Sequence, residues 1–123
     1  MIFGFSRDDA GKFIPEYLEK GILEADPFLT IDSCVANVMQ VSSEKGKLAA
    51  FDLGNADFVT GVCGEHGGDA KSVKTFAKMG LNFVSCSPFR VPIARLASAQ
   101  ASIEKERELK VWKDMTERES GSA

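Results

Sequence analysis

The sequence predicts an α/β fold with parallel strands, on three observations. Two β-prone runs, Phe58-Val59-Thr60-Gly61-Val62-Cys63 and Leu81-Asn82-Phe83-Val84-Ser85, are separated by a segment of helix length. A glycine-rich stretch, Gly64-Glu65-His66-Gly67-Gly68-Asp69, cuts the first run off abruptly. Helical patterns stand before the first run and after the second. Helix, strand, helix, strand, helix in alternation belongs to parallel sheets joined by right-handed crossovers. Two strands are too few for such a sheet to be covered on both faces, so they are expected to belong to a larger one.

Taken in order, residues 1–9 read as a loop or strand end closing on Ser6-Arg7-Asp8-Asp9. Asp8 or Asp9 is a candidate cap for a short helix holding Phe13, Tyr17 and Leu18 at helical spacing. Pro15 inside that stretch predicts two short turns or a start near residue 14. Asp26-Pro27 ends it. Asp32 stands at an N-cap position ahead of Val35, Val38 and Met39, and Gly46 at a C-cap position, predicting a helix over 33–45 with Cys34 on its apolar face. Residues 47–57 read as a polar connection. After the glycine-rich loop, a helix over about 70–79 stops at Gly80. Pro92 opens the last helix, with Ile93, Leu96 and Ala97 as its apolar stripe. Beyond Ser102 the run Glu104-Lys105-Glu106-Arg107-Glu108 predicts a solvated helix extension, supported by the Glu106/Lys110 pair, with Leu109, Trp112 and Met115 available to a neighbour. Residues 120–123 are expected to fray.

Composition narrows the function classes. The chain has 123 residues, 44% of them hydrophobic, which suits one small domain with a core. Lys and Arg number 15 against 18 acids, a net charge of −3, so no basic face for nucleic acid is expected. Cys34, Cys63 and Cys86 form no Cys-x-x-Cys pair and His66 is the sole histidine, which disfavours a zinc site. No stretch approaches the ~20 apolar residues of a membrane span. The N-terminus lacks a secretory signal pattern, and the expected setting is reducing and cytoplasmic, with a plastid or other organelle left open.

Two stretches carry a resemblance. Val62-Cys63-Gly64-Glu65-His66-Gly67-Gly68-Asp69, followed by Phe83 through Ala97 (Phe-Val-Ser-Cys-Ser-Pro-Phe-Arg-Val-Pro-Ile-Ala-Arg-Leu-Ala), resembles the C-terminal signature of the pyruvate, phosphate dikinases. Gly4-Phe5-Ser6-Arg7-Asp8-Asp9-Ala10-Gly11-Lys12-Phe13 is similar to an earlier stretch of the same family, in the same order. The likeness weakens across residues 44–58 and ends near Gln100. Phosphoenolpyruvate synthase and enzyme I of the sugar phosphotransferase system share the Cys-Gly start but resemble the Ser-Pro-Phe-Arg segment less closely.

The resemblance implies the C-terminal portion of a (β/α)8 TIM barrel, about its last two strands and their helices, over residues 1–100, with a charged helical extension over 101–123. A whole barrel takes ~250 residues. It also implies phosphoenolpyruvate or pyruvate as ligand, with Mg2+ held by residues upstream that have no counterpart here. Further implied partners are a phosphohistidine carrier domain, an ATP-grasp domain and a second copy in a homodimer. Met1 stands where the family commonly has a methionine, so a gene fragment or an internal start is expected.

The resemblance makes Cys63 the catalytic candidate, as donor and acceptor of the proton at C3 of the pyruvate enolate. Turning phosphoenolpyruvate into pyruvate leaves an enolate whose methylene carbon must be protonated. An ordinary thiol, with pKa near ~8.5, is mostly protonated at neutral pH and can donate to such a carbon. Gly64, Glu65 and His66 are the substrate-binding candidates beside it, and Gly64, Gly67 and Gly68 also suit a tight strand-to-helix turn. Cys86 reads as structural or as part of the barrel mouth, and Arg90 and Arg95 as charge partners. Phe83 departs from the family, where many members carry Tyr. The rival readings are a non-catalytic truncated paralogue, an interaction module, or a related enzyme such as phosphoenolpyruvate synthase.

Overall fold

The two β-prone runs do pair, over a shorter length than the sequence predicts. In the computed structural model, which describes residues 6–120, β1 (Gly61–Cys63) and β2 (Phe83–Ser85) lie parallel, with Gly61 opposite Phe83, Val62 opposite Val84 and Cys63 opposite Ser85. Ahead of β1 the ladder is continued by a side chain. Asn82 donates its backbone N–H to the Thr60 carbonyl at 2.8 Å, while its Oδ1 accepts from the Thr60 N–H at 2.9 Å. An amide side chain that imitates a strand rung ends the regular sheet two to three residues earlier than β-propensity alone suggests.

Two helices and a 3-10 turn complete this unit. Asp69 caps α4 (Ala70–Lys78), accepting from the Ser72 N–H at 2.8 Å, and Gly80 at φ 70° ends it in the expected place. A 3-10 turn over Pro88–Arg90 leads into α5 (Val91–Ser120), which starts one residue before the expected Pro92. Alternate residues of a strand face opposite sides. Val84 therefore packs on one side of the sheet against Val73 of α4 and Ala94 and Ala97 of α5. The other side presents Gly61, Cys63, Phe83 and Ser85, all exposed.

The buried stripe of α5 shares only Ala97 with the expected one. Ala94, Ala97 and Ala101 are buried, whereas Ile93 and Leu96 are exposed. Val73 of α4 packs against Ala94 and Ala97, and these small side chains let the two helices approach, while Phe76 is also buried on α4, at 1% exposure. Lys74 of α4 then pairs with Glu104 of α5 at 2.6 Å, and its hydrogen bond holds the Glu104 carboxyl below its usual pKa. Past that pair α5 continues as a helix through the charged segment, with Leu109, Trp112 and Met115 exposed.

The elements before the sheet include three corrections. α1 (Arg7–Ala10) is capped by Ser6, whose Oγ accepts from the Asp9 N–H at 3.2 Å, whereas the helix that Asp8 or Asp9 was expected to cap, the one holding Tyr17 and Leu18, starts after Phe13 with no side-chain cap. α2 (Ile14–Glu19) follows as a second short helix, as Pro15 predicts. α3 (Ser33–Asp52) starts at its Asp32 cap but runs straight through Gly46 and stops at Gly54, where φ is 68°. Lys47 through Phe51 are good helix formers and carry it on. Gly46 is there for a neighbour: a Cβ on it would lie 3.2 Å from Cζ of Phe58. Cys34 is exposed on α3, not packed. The segment expected as loop over residues 1–5 and the tail beyond residue 120 lie outside the described residues.

One buried relay fastens the segment before α3 to α4. The Ile31 N–H donates to Ser72 Oγ at 2.9 Å, and Ser72 Oγ donates to Asp69 Oδ2 at 2.7 Å. Ser72 is fully buried, so no water can take its place. Ser72→Ala is expected to lower unfolding free energy by about 1–3 kcal/mol, the range for leaving buried polar groups without a partner. A urea titration of the two chains checks it; identical midpoints and slopes would show that the relay contributes nothing.

Candidate active site

Cys63 is the last residue of β1, exposed, and its Cα partner on β2 is Ser85. The chain then turns sharply because Gly64 takes φ 119° and ψ −171°, a conformation that a side chain rarely allows. From there the loop folds back over the end of β2. The Gly64 N–H donates to the Ser85 carbonyl at 3.3 Å, and the Gly67 N–H to the Gly64 carbonyl at 3.0 Å. Residues Glu65–Gly68 form a 3-10 turn with Gly67 and Gly68 buried. A Cβ on Gly67 would lie 2.6 Å from the Ser85 carbonyl oxygen. The loop thus needs glycine both for its backbone angle and for close approach to β2.

His66 is half-buried and points to the segment before α3. Its Nε2 lies 2.9 Å from the Pro27 carbonyl oxygen and donates to it. Together with the Ile31–Ser72–Asp69 relay, this bond holds residues 26–31 against the glycine-rich loop. Between that segment and the start of α5 lies an open cleft of about 830 Å³. Phe28 and Leu29 form one wall, Arg90 and Ile93 the other, and Gly64 and Glu65 belong to its lining. The aliphatic stem of Arg90 lies on Gly68, where a Cβ would fall 2.7 Å from Arg90 Cβ and Cγ.

The four site candidates therefore divide. Gly64 and Glu65 reach the cleft, His66 holds its wall, and Cys63 stands on the open sheet face, outside the cleft lining. Ser85 borders both surfaces. Cys86, half-buried, packs against the core beneath β2 while also touching the cleft. Arg95 lies on a different surface, beside Val91 and Leu96. The segment 26–31 and Ser72 are the parts that sequence reading misses. The Asp69-x-x-Ser72 cap spacing was the one available signal for Ser72. Among the described residues no group of three or more His, Cys, Asp or Glu side chains could hold a metal ion.

Comparisons with known proteins give the family. Residues 1–103 match the family model of the PEP-utilising enzyme, PEP-binding domain. The chain belongs to this family. Among curated PEP-utilising relatives, it is 57% identical over 104 residues to pyruvate, phosphate dikinase 2 of Oryza sativa subsp. japonica, covering 84% of this chain and 11% of that protein. It is 55% identical over 101 residues to the chloroplastic pyruvate, phosphate dikinase of Mesembryanthemum crystallinum, covering 81% and 10%. The chloroplastic pyruvate, phosphate dikinase 1 of Arabidopsis thaliana is 55% identical over 104 residues, covering 84% and 10%. The chain thus spans about a tenth of the length of the curated PEP-utilising relatives it matches. No helix among the described residues is long and apolar enough to cross a membrane.

Proposed function

We propose that this chain is the C-terminal part of the phosphoenolpyruvate/pyruvate domain of a pyruvate, phosphate dikinase, with Cys63 as the group that moves the proton at C3. The position of Cys63 carries the reading: it is exposed at the C-terminal end of a parallel strand, just before a glycine-rich turn into a helix. In α/β barrels that is where reacting side chains sit. The parallel pair joined through α4 is consistent with the last two strands of a (β/α)8 barrel over residues 1–100, with 101–123 as its charged helical extension.

The whole enzyme would interconvert ATP, phosphate and pyruvate with AMP, diphosphate and phosphoenolpyruvate. In the direction of pyruvate, the phosphoryl group leaves phosphoenolpyruvate for a carrier histidine, and the enolate that remains takes the proton from the Cys63 thiol at C3. In the reverse direction the thiolate removes that proton, and the enolate oxygen attacks the phosphohistidine. Gly64 and Glu65 would meet the substrate from the loop, and His66 would contribute by holding the loop in place through Pro27. The magnesium that the family implies would neutralise substrate charge and be held by residues other than those described. The carrier and ATP-grasp domains, a second subunit and a cytoplasmic or plastid location complete the proposal.

An exchange of segments tests it. Residues 1–103 of this chain, placed in the matching position of the Oryza sativa relative, are expected to support pyruvate-dependent formation of AMP from ATP and phosphate. A folded chimera with no such turnover, while its carrier histidine is still phosphorylated by ATP, would favour the non-catalytic reading.

A further inference from the structure

The exposed face of the sheet has two rungs. Gly61 stands opposite Phe83 on the first, and Cys63 opposite Ser85 on the second. The Phe83 ring does not stand up from the sheet but lies across the strand onto Gly61. A Cβ built on Gly61 would fall 2.4 Å from Cζ of that ring and 2.5 Å from both Cε atoms. Any residue larger than glycine at 61 would have to displace the ring. A glycine inside a strand weakens it and often marks a close approach by another group, and an aromatic side chain laid over a cross-strand glycine restores the lost packing. Here the ring occupies the space that Gly61 leaves empty, with Cys63 as the next side chain along β1 on the same face. Same-face neighbours on a strand are about 6.5 Å apart, close enough for a ring over the first to bound the space of the second.

We infer that Phe83 is a positioning residue for Cys63: its ring, seated on Gly61, forms an apolar floor that confines the thiol to the side of the strand end and the glycine-rich loop. This deepens the proposed role of Cys63 and takes its catalytic meaning from that role, but the geometry can be tested without it. The phenyl group is sufficient for the floor. Its outermost carbon, Cζ, is the ring atom closest to the Gly61 position, so a hydroxyl there would add nothing to the wall beside Cys63.

The test follows the thiol itself in the full 123-residue chain. Alkylation by iodoacetamide is measured residue by residue by mass spectrometry from pH 6 to pH 10 (about the range over which free thiols ionise), with exposed Cys34 on α3 as the internal reference. Phe83→Ala is expected to raise the Cys63/Cys34 rate ratio by about threefold or more, because removing the ring widens the directions from which reagent can approach the exposed thiol. Phe83→Tyr keeps the ring and is expected to keep the wild-type ratio. Gly61→Ala, which evicts the ring, is expected to act like Phe83→Ala, and the double variant to go no further than either single one.

An unchanged ratio in Phe83→Ala overturns the inference, as does a ratio in Phe83→Tyr shifted as far as in the alanine variant. Loss of the helical circular dichroism signal in Phe83→Ala also overturns it, since the ring would then be a purely structural group. If Gly61→Ala alone unfolds, the comparison of Phe83→Ala with Phe83→Tyr decides. Failure of the acid role of Cys63 would appear in proton exchange at pyruvate and leave these rates untouched, so the two failures are distinguishable.

Discussion

Cys63→Ala, in a full-length dikinase carrying residues 1–103 of this chain, is expected to abolish exchange of the methyl protons of pyruvate with solvent. A positioned acid or base contributes about 10²- to 10⁴-fold to a proton transfer, and nothing in the loop after β1 offers a replacement. Glu65 reaches the cleft rather than the sheet face, and His66 is engaged with Pro27. Cys63→Ser is expected to be nearly as damaged, because an unactivated hydroxyl is a far weaker acid than a thiol. Phosphorylation of the carrier histidine by ATP should survive in both variants, since that step would occur on other domains. Deuterium incorporation into pyruvate from heavy water, run beside an assay of the phosphoenzyme, checks both halves. Normal exchange in the alanine variant would remove Cys63 from the mechanism. Loss of both reactions together would point to disturbed folding or docking instead of a missing proton donor.

The 123-residue chain by itself is expected to form no AMP from ATP, phosphate and pyruvate above the uncatalysed rate. Enzymes of ordinary efficiency accelerate their reactions by about 10⁶-fold or more, so the expected difference from a complete dikinase is at least of that order. The sheet face that bears Cys63 is open, with Phe83 53% exposed beside it. Water therefore reaches the thiol, and the electrostatic effects that depend on a closed, low-dielectric site are lost. The two strands also leave edges that further strands would pair. Coupled detection of AMP over several hours is sensitive enough to decide. Magnesium-dependent turnover that disappears in Cys63→Ala would refute the expectation, and would show that these residues hold a working site unaided.

What could be read in the sequence was whatever a local signal specifies. Asp32 caps the helix it precedes, Gly80 ends α4, and Cys63 stands at a strand end before a turn that only glycine makes easily. Where a residue serves a distant partner, local reading fails. Gly46 looks like a helix stop, yet its lack of a side chain makes room for the Phe58 ring, and α3 continues past it. The apolar stripe expected on α5 is rotated, because the seam with α4 selects alanines for close approach and leaves Ile93 and Leu96 outside. The wall of the cleft was invisible for the same reason. Ile31 and Ser72 are 41 residues apart, and no periodicity announces a hydrogen bond between a loop amide and a helix hydroxyl. Gly61 was legible only as a β-run residue, since its meaning depends on which residue of β2 stands opposite.

The length of α5 has a practical consequence for anyone following this protein by light. The helix packs on α4 through Ala94 and Ala97 and is tied to it by the Lys74–Glu104 pair. The remaining 16 residues (105–120) project about 24 Å beyond, at about 1.5 Å of rise per residue. Trp112, the one tryptophan in the chain, sits on that projection, 63% exposed. Its emission in the folded state should already be that of a hydrated indole. Melting of the sheet and the α4–α5 seam would then pass almost unseen in tryptophan fluorescence, while the same indole would be a sensitive dye for anything that comes to rest on the projecting helix.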